Sequence, residues 1–346
     1  MTQVQPYQPA LSYHFANLAL TAEIHAMWEA DEPDHENIED IFAIPEQYYD
    51  QLFVASQLSG EIVYNDIQRY VRKHYEQIGV IRQGQHVIPD YMEIEVTKTT
   101  AVEVEVEEAN DDGILEKMGS YSRRFTEILT NTVRYTRSHG LMGYALRARD
   151  DSHAIIAMRG TMTTEEWLNN VNYALTAFHP VEERYGRVHS GFRDVYKGVR
   201  GRYRELAHDF QAMEAIYLVG HSMGGVVSML AALDLTIQDS AYGDQLCVYT
   251  YGAPRTGDAV FSETYNQAVG TSYRVVNVCD VVPYLPFEEL GVLMKGQDYP
   301  YVHTKGERAY VHQTGNPIAN HIGSYHFATR EQIPTQMNVS TPRNVG

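Results

Sequence analysis

The stretch Gly220-His221-Ser222-Met223-Gly224-Gly225 constrains this chain more than any other. Before it, Ala215 to Val219 is a short continuous apolar run, the pattern of a strand buried in a parallel sheet. After it, Val226 to Leu235 is apolar nearly all round, as a buried helix is. The spacing predicts strand, tight turn, helix. A turn this sharp, a nucleophile elbow, holds its serine in a strained backbone conformation with Oγ exposed. It requires residues without side chains at positions 220 and 224, so that strand and helix can approach. The helix N-terminus behind Ser222 then offers N–H groups and the positive end of a dipole to developing negative charge. A Gly-x-Ser-x-Gly match alone is a modest signal, equally met by a Gly-rich turn with an ordinary serine. The flanking strand and helix favour the nucleophile.

Length leaves one large α/β domain or two domains open. The balance of 27 Lys+Arg against 45 Asp+Glu, net −18, argues against nucleic acid and against electrostatic docking on anionic membranes. A lipid reached through apolar area stays open, with at most transient contact to an interface. Met1 to Ala10 lacks the basic start and apolar core of a secretory signal, and no run of about 20 apolar residues occurs. The expectation is a soluble protein, cytoplasmic or otherwise. Cys247 and Cys279 are too few for a disulfide scaffold and are expected as buried small hydrophobes in neighbouring strands.

Residues 1–48 read as a helical and loop-rich lead-in, with a solvated acidic stretch from Glu29 to Asp40. Tyr49 to Tyr75 carries apolar residues at helical spacing, with Gly60 as its weak point. From His86 to Glu107 the pattern alternates, and Val102, Val104 and Val106 separated by glutamates predict a half-buried strand with one acidic face. The loop signal Asn110-Asp111-Asp112-Gly113 suggests a division into an N-terminal extension, residues 1–112, packed on a catalytic domain, residues 113–346. A helix is expected from Leu115 to Arg137, then a hairpin of Gly143 to Arg149 and His153 to Arg159. Thr163 and Glu166 form a capping-box pattern opening a helix with Trp167, Val171, Leu175 and Phe178 on one face, which suits a lid over an apolar site and a packed core helix equally. Val195, Val199, Tyr203 and Leu206 mark the next helix. Strand at Leu246 to Tyr251, helix at Ala259 to Ala268 and strand at Tyr273 to Val278 complete an alternation that means a parallel sheet wound with helices.

A serine hydroxyl near its normal acidity is a poor nucleophile, so Ser222 needs a base, and the base needs an acid to fix its tautomer. Asp280 directly follows an apolar strand, on the same sheet edge as the elbow; capping of the turn before Pro283 is the alternative role, and Asp298 is the weaker candidate acid. Of the later histidines, His303 and His312 read as arms of a hairpin. His321 follows the loop Gly315-Asn316-Pro317, where a base belongs, and His326 competes with it. Oxyanion donors are expected from the N–H of Met223 and from Thr161, which ends the Arg159-Gly160 strand and could instead cap a helix. No His-Glu-x-x-His or cysteine pairing supports a metal site, and no cofactor is implied.

Taken together, Met158-Arg159-Gly160-Thr161 with Trp167-Leu168, Val188-His189-Ser190-Gly191-Phe192, Val219 to Gly225, Tyr251-Gly252-Ala253-Pro254-Arg255-Thr256-Gly257, and Arg274 to Asn277 leading to Asp280-Val281-Val282-Pro283 resemble the class 3 lipase family, which includes the fungal triacylglycerol lipases. The resemblance covers roughly residues 140–327. It implies an α/β-hydrolase-type mostly parallel sheet with helices on both faces, beside a helical and acidic-strand N-terminal extension. It implies Ser222 as nucleophile, Asp280 as acid, Thr161 and Met223 as oxyanion donors, and a lid just after Thr161 carrying Trp167, Val171 and Leu175. The family's histidine precedes an aromatic by a few residues, as His321 precedes Tyr325, although the spacing is not a clean match and His326 remains the competitor. The implied activity is that of a serine carboxylic ester hydrolase on lipid esters, first a triacylglycerol lipase. A phospholipase, a carbohydrate-ester esterase and a catalytically silent interaction module are the alternatives.

Overall fold

The computed structural model describes residues 5–31, 39–53, 60–83, 141–160, 175–179, 182–286 and 301–326. The strands β1 (Tyr75–Arg82), β2 (Leu141–Ala148) and β3 (His153–Met158) form an antiparallel meander. From β3 the sheet continues in parallel through β6 (Ala215–His221), β7 (Leu246–Tyr251), β8 (Thr271–Asn277) and β9 (Glu307–Tyr310). Between β3 and β6 the chain makes a separate two-stranded ribbon of β4 (Leu175–His179) and β5 (Glu182–His189).

Both faces of the sheet are covered, which is why its central strands are apolar without alternation. On one face Ile155, Tyr217, Val219 and Tyr249 pack against α1 (Pro9–Asp31) through Phe15, Leu18 and Ala19. On the other, Ile156, Ile216, Leu218 and Val248 meet α4 (Ser190–Asp209), α5 (Met223–Gln238) and α6 (Ala259–Ala268). The lead-in therefore contains a core helix. Its Glu29, expected in a solvated acidic stretch, is buried, and its Oε1 stands 2.7 Å from Arg82 Nη2.

The helix expected from Tyr49 to Tyr75 is broken into α2 (Glu46–Phe53) and α3 (Gly60–Asp66), with further helical turns to His74; Gly60 opens α3 against the backbone of Tyr49, and Tyr75 already belongs to β1. The hairpin at 143–159 forms as expected. The one expected around His303 and His312 does not, because β9 pairs in parallel with β8. Cys247 is buried in β7, whereas Cys279 is half-buried in the turn after β8; both thiols are free. The acidic strand at 86–107, the helix at 115–137, the division at residue 112 and Asp298 lie outside the described residues. Among the described residues no helix is long and apolar enough to cross a membrane.

Candidate active site

Because β3, β6, β7, β8 and β9 are parallel, their carboxyl ends collect on one edge of the sheet. The turn from β6 into α5 lies there. Ser222 has φ 53° and ψ −125°, a strained backbone for a residue with a side chain. Its N–H donates to the Tyr251 carbonyl at 2.8 Å, and its own carbonyl accepts from Gly225 N–H at 3.0 Å, so the turn is fastened to β7 and to the start of the helix. A Cβ on Gly220 would lie 2.2 Å from the Gly224 backbone, and one on Gly224 would lie 2.3 Å from the Arg159 carbonyl oxygen. Both glycines are thus required by close approach. Met223, the first residue of α5, is buried directly after the serine.

Asp280 follows β8, and His321 ends the short helix α7 (Pro317–His321) beyond β9. His321 Nδ1 lies 2.8 Å from Asp280 Oδ2, and both side chains are buried. Tyr325 Oη donates to the same oxygen at 2.7 Å, while Val282 N–H donates to Asp280 Oδ1 at 2.9 Å. Burial and the negative Asp280 push the Tyr325 phenol well above its ordinary range, so it remains a donor. The two loops are braced by amides. Asn277 Nδ2 donates to the carbonyls of His312 at 2.8 Å and Asn320 at 3.2 Å, and Asn320 Nδ2 donates to Cys279 O at 3.1 Å. Arg255, in the stretch after β7, donates from Nη1 to Pro286 O at 2.8 Å and steadies the segment beyond Asp280. His303 Nε2 donates to Pro283 O at 2.6 Å, and burial, then Arg274, lowers it to about 3, so it acts as a neutral brace.

His321 Nε2 is buried and makes no hydrogen bond among the described residues, so the expected bond to Ser222 Oγ is not formed in this structure. The ring instead rests beside that of His221, with centroids 4.7 Å apart. Such bonds are often long or misaligned in resting sites and tighten in the reacting complex. His326, the competing histidine, lies elsewhere: its Nδ1 contacts Asn17 Oδ1 on α1, and its ring is 5.2 Å from that of Tyr13.

Sequence reasoning assigned no task to Glu23 or to the His221 side chain. Glu23 Oε1, on α1, lies 2.5 Å from His221 Nδ1 and accepts from Gly160 N–H at 2.8 Å. His221 Nε2 donates to the His321 carbonyl at 2.8 Å. Burial acts against both charges, but each partner's charge and hydrogen bond outweigh it: His221 is raised above its ordinary range and Glu23 is held below its own. Arg159, lowered to about 10 by burial against the opposing pull of Glu23 and Glu29, donates from Nη1 to Gly160 O at 2.7 Å. A signal for Glu23 does exist in the sequence. An ionisable residue within the apolar run Leu18 to Trp28 must find a buried partner, although the run cannot say which.

Thr161, Trp167 and Val171 lie outside the described residues. Leu175 is described, and here the expectation fails: it sits in β4 opposite His189 of β5, half-buried in a strand rather than on a helix. His189 itself caps α4 by accepting from Gly191 N–H at 3.1 Å. Among the described residues no group of three or more His, Cys, Asp or Glu side chains is disposed to hold a metal ion.

A nucleophile elbow at the carboxyl edge of a mostly parallel sheet, with helices on both faces, is the α/β-hydrolase architecture. Residues 155–290, which carry the elbow and Asp280, match the family model described as lipase (class 3). The family resemblance read from the sequence holds over that stretch. A lipase of Rhizomucor miehei is 34% identical over 162 residues, covering 45% of this chain and 44% of that protein. Phospholipase A1-IIalpha of Arabidopsis thaliana is 27% identical over 214 residues, covering 51% of this chain and 49% of its own length. A solved structure of Rhizomucor miehei triacylglyceride lipase is 27% identical and covers 48% of this chain and 61% of that chain, with a TM-score of 0.40. The chain thus spans about half the length of the curated relatives it matches.

Proposed function

We propose that this chain is a serine carboxylic ester hydrolase acting on lipid esters, with triacylglycerols as the first substrate class. The observation that carries the reading is the 2.8 Å contact of His321 Nδ1 with Asp280 Oδ2, next to the strained turn of Ser222. In the proposed cycle Ser222 Oγ attacks the ester carbonyl while His321 Nε2 takes its proton. Asp280 accepts the Nδ1–H, which fixes the tautomer and stabilises the imidazolium that forms. The oxyanion is held by the N–H of Met223 and by Thr161. His321 then returns its proton to the leaving alcohol as the ester C–O bond breaks, leaving an acyl group on Ser222. Water, deprotonated by His321, attacks that acyl group; the bond from the acyl carbon to Ser222 Oγ breaks, His321 returns the proton to Oγ, and the fatty acid leaves. His321 Nε2, which has no hydrogen-bond partner among the described residues, offers the lone pair these steps need. We keep a lid after Thr161, carrying Trp167 and Val171, within this reading, together with a division into an extension of residues 1–112 and a catalytic domain of residues 113–346. Burial of α1 against β2, β3 and β6 supports packing of the one on the other.

The Arabidopsis thaliana phospholipase A1 relative favours a second reading, hydrolysis of phospholipid acyl esters. A hydrolysis panel of short p-nitrophenyl esters, triacylglycerols and phospholipids separates the two. Ser222→Ala should abolish turnover and fluorophosphonate labelling while leaving the fold intact. Residual Ser222→Ala activity near wild type refutes Ser222 as the nucleophile, whereas a wild-type chain that takes no label and hydrolyses no ester refutes the hydrolase reading and leaves the silent module.

A further inference from the structure

Glu23 is 137 residues from Gly160 and 198 from His221 in sequence, yet one of its oxygens touches both. Donor and acceptor counting constrains the pair. Oε1 already accepts the Gly160 N–H, so a second contact at 2.5 Å from a ring nitrogen is best served by an N–H on Nδ1. The other ring nitrogen, Nε2, faces the His321 carbonyl oxygen at 2.8 Å, which only accepts, so it too carries hydrogen. With both nitrogens protonated, His221 is an imidazolium and Glu23 its carboxylate partner. The charged and titratable groups facing them are Arg159 at the end of β3, Asp280 after β8, and the His321 ring.

The contacts of this pair fall on three parts of the centre at once. Gly160 precedes Thr161, and a Cβ on Gly160 would lie 2.6 Å from Glu23 Oε1 and 2.9 Å from Ser222 Cβ. His221 precedes Ser222 in the elbow. The His321 carbonyl belongs to the residue whose ring meets Asp280. We propose that Glu23 is a positioning residue of the hydrolytic centre: its carboxylate keeps both ring nitrogens of His221 protonated, and so holds the Gly160 turn, the elbow and the His321 main chain in register. The proposal rests on the hydrolase reading for its catalytic half only.

Glu23→Gln leaves the side chain nearly the same size but withdraws the charge. The amide oxygen can still accept from Gly160 N–H, but His221 then becomes neutral and one of its two nitrogens loses its N–H. Either the contact to Glu23's position or the one to His321 O is lost. Displacement of catalytic groups by as little as 1 Å costs on the order of 100-fold in rate. The expected result, per site titrated by fluorophosphonate, is a kcat lower by roughly 10- to 100-fold with KM within about threefold of wild type. Glu23→Asp, which keeps the charge, should recover at least part of that loss. A purely structural Glu23 would lower the unfolding temperature and leave kcat per titrated site unchanged, which overturns the proposal. The second readout does not depend on activity. In ¹⁵N-histidine-labelled full-length protein, with His221 assigned by its absence in His221→Gln, both its ring nitrogens should give protonated N–H signals at a pH above the ordinary histidine range. A neutral His221 in the wild type overturns the proposal even if no variant folds. If the wild type takes no fluorophosphonate and hydrolyses no ester, the catalytic half falls with the hydrolase reading, and the spectrum still decides whether the pair exists.

Discussion

Gly224→Ala probes the geometry on which the site depends. The new methyl would lie 2.3 Å from the Arg159 carbonyl oxygen and 2.5 Å from that of Met158, both main-chain atoms that cannot rotate away. Real Cβ atoms essentially never come closer than 3.0 Å, so α5 and the end of β3 must separate by at least 0.7 Å, from 2.3 to 3.0 Å. Overpacking of this kind costs about 1–3 kcal/mol. Alanine recovers up to about 1 kcal/mol over glycine in a helix interior and less in a first turn, so the net loss of stability is expected to be small, about 1–2 kcal/mol. Activity should respond more strongly than stability. The separation opens the space between the Met223 N–H and the segment leading to Thr161, the two proposed oxyanion donors. A 1 Å misplacement costs about 100-fold, so 0.7 Å corresponds to roughly 10- to 100-fold in kcat, or about 1.4–2.7 kcal/mol of transition-state stabilisation. The assay is p-nitrophenyl ester turnover per fluorophosphonate-titrated site, alongside urea unfolding. Gly201→Ala is the control, since a methyl there meets nothing within 4 Å in α4; it should raise stability by about 0.5–1 kcal/mol and leave kcat alone. A folded Gly224→Ala enzyme with kcat within threefold of wild type would refute the reasoning.

Asp280→Asn should lower kcat by about 10⁴-fold with little change in fold, because the amide oxygen will answer the Val282 N–H and turn its NH₂ toward His321 Nδ1, enforcing the wrong tautomer. Wild-type kinetics in that variant would sink Asp280 as the acid. Asp234 on α5 accepts from Arg200 at 2.7 Å, Tyr196 at 2.6 Å and Arg204 at 3.1 Å, and these bonds hold it at about 2 against burial, which would raise it from 3.8. A depressed carboxyl stabilises the fold above its unfolded value and loses that contribution as pH falls through the folded one, here from about 4 to about 2. The shift corresponds to about 2 kcal/mol, reduced to roughly 1–2 by the partial exposure of both arginines. Asp234→Asn should therefore cost that much in urea unfolding at pH 7 and progressively less toward pH 2. An equal deficit at both ends would rule out the linkage.

What the sequence made legible follows the range of the forces that set it. The elbow, β6, β7 and α5 are written in local pattern, because strands and helices buried on all sides are apolar on all sides and the turn between them tolerates only glycine at two positions. Leu175 and Phe178 fit a helical spacing with Trp167 and Val171, yet Leu175 pairs with His189, a partner that no local period specifies. The repeated Tyr-Val-His at 301–303 and 310–312 suggested two arms of one hairpin, but Val302 forms an isolated bridge to Gly257 while Glu307–Tyr310 lies along β8. Choice between His321 and His326 was equally non-local. Both are buried near the same end of the chain, and what distinguishes them is that one meets Asp280 and the other Asn17.

The site contains two buried carboxylate–imidazole pairs, Asp280 with His321 and Glu23 with His221, set with their rings 4.7 Å apart. Burying four ionisable groups is a poor way to gain stability, since desolvation offsets much of the mutual attraction and an apolar pair of similar volume would serve as well or better. Their value lies in direction. A carboxylate oxygen and a ring nitrogen fix each other's position within a few tenths of an ångström, whereas apolar side chains of the same size can slide. The Asp280 pair joins two loops that Asn277 and Asn320 already cross-link, so it is held from within the carboxyl-terminal half. The Glu23 pair reaches the same histidine's main chain from α1 through His221 and ties that helix to the centre. Since a lone buried charge is far costlier than a matched pair, neither Glu23 nor His221 can be lost singly without strain. A helix that reads in sequence as a lead-in is thereby coupled to the alignment of Ser222 and His321.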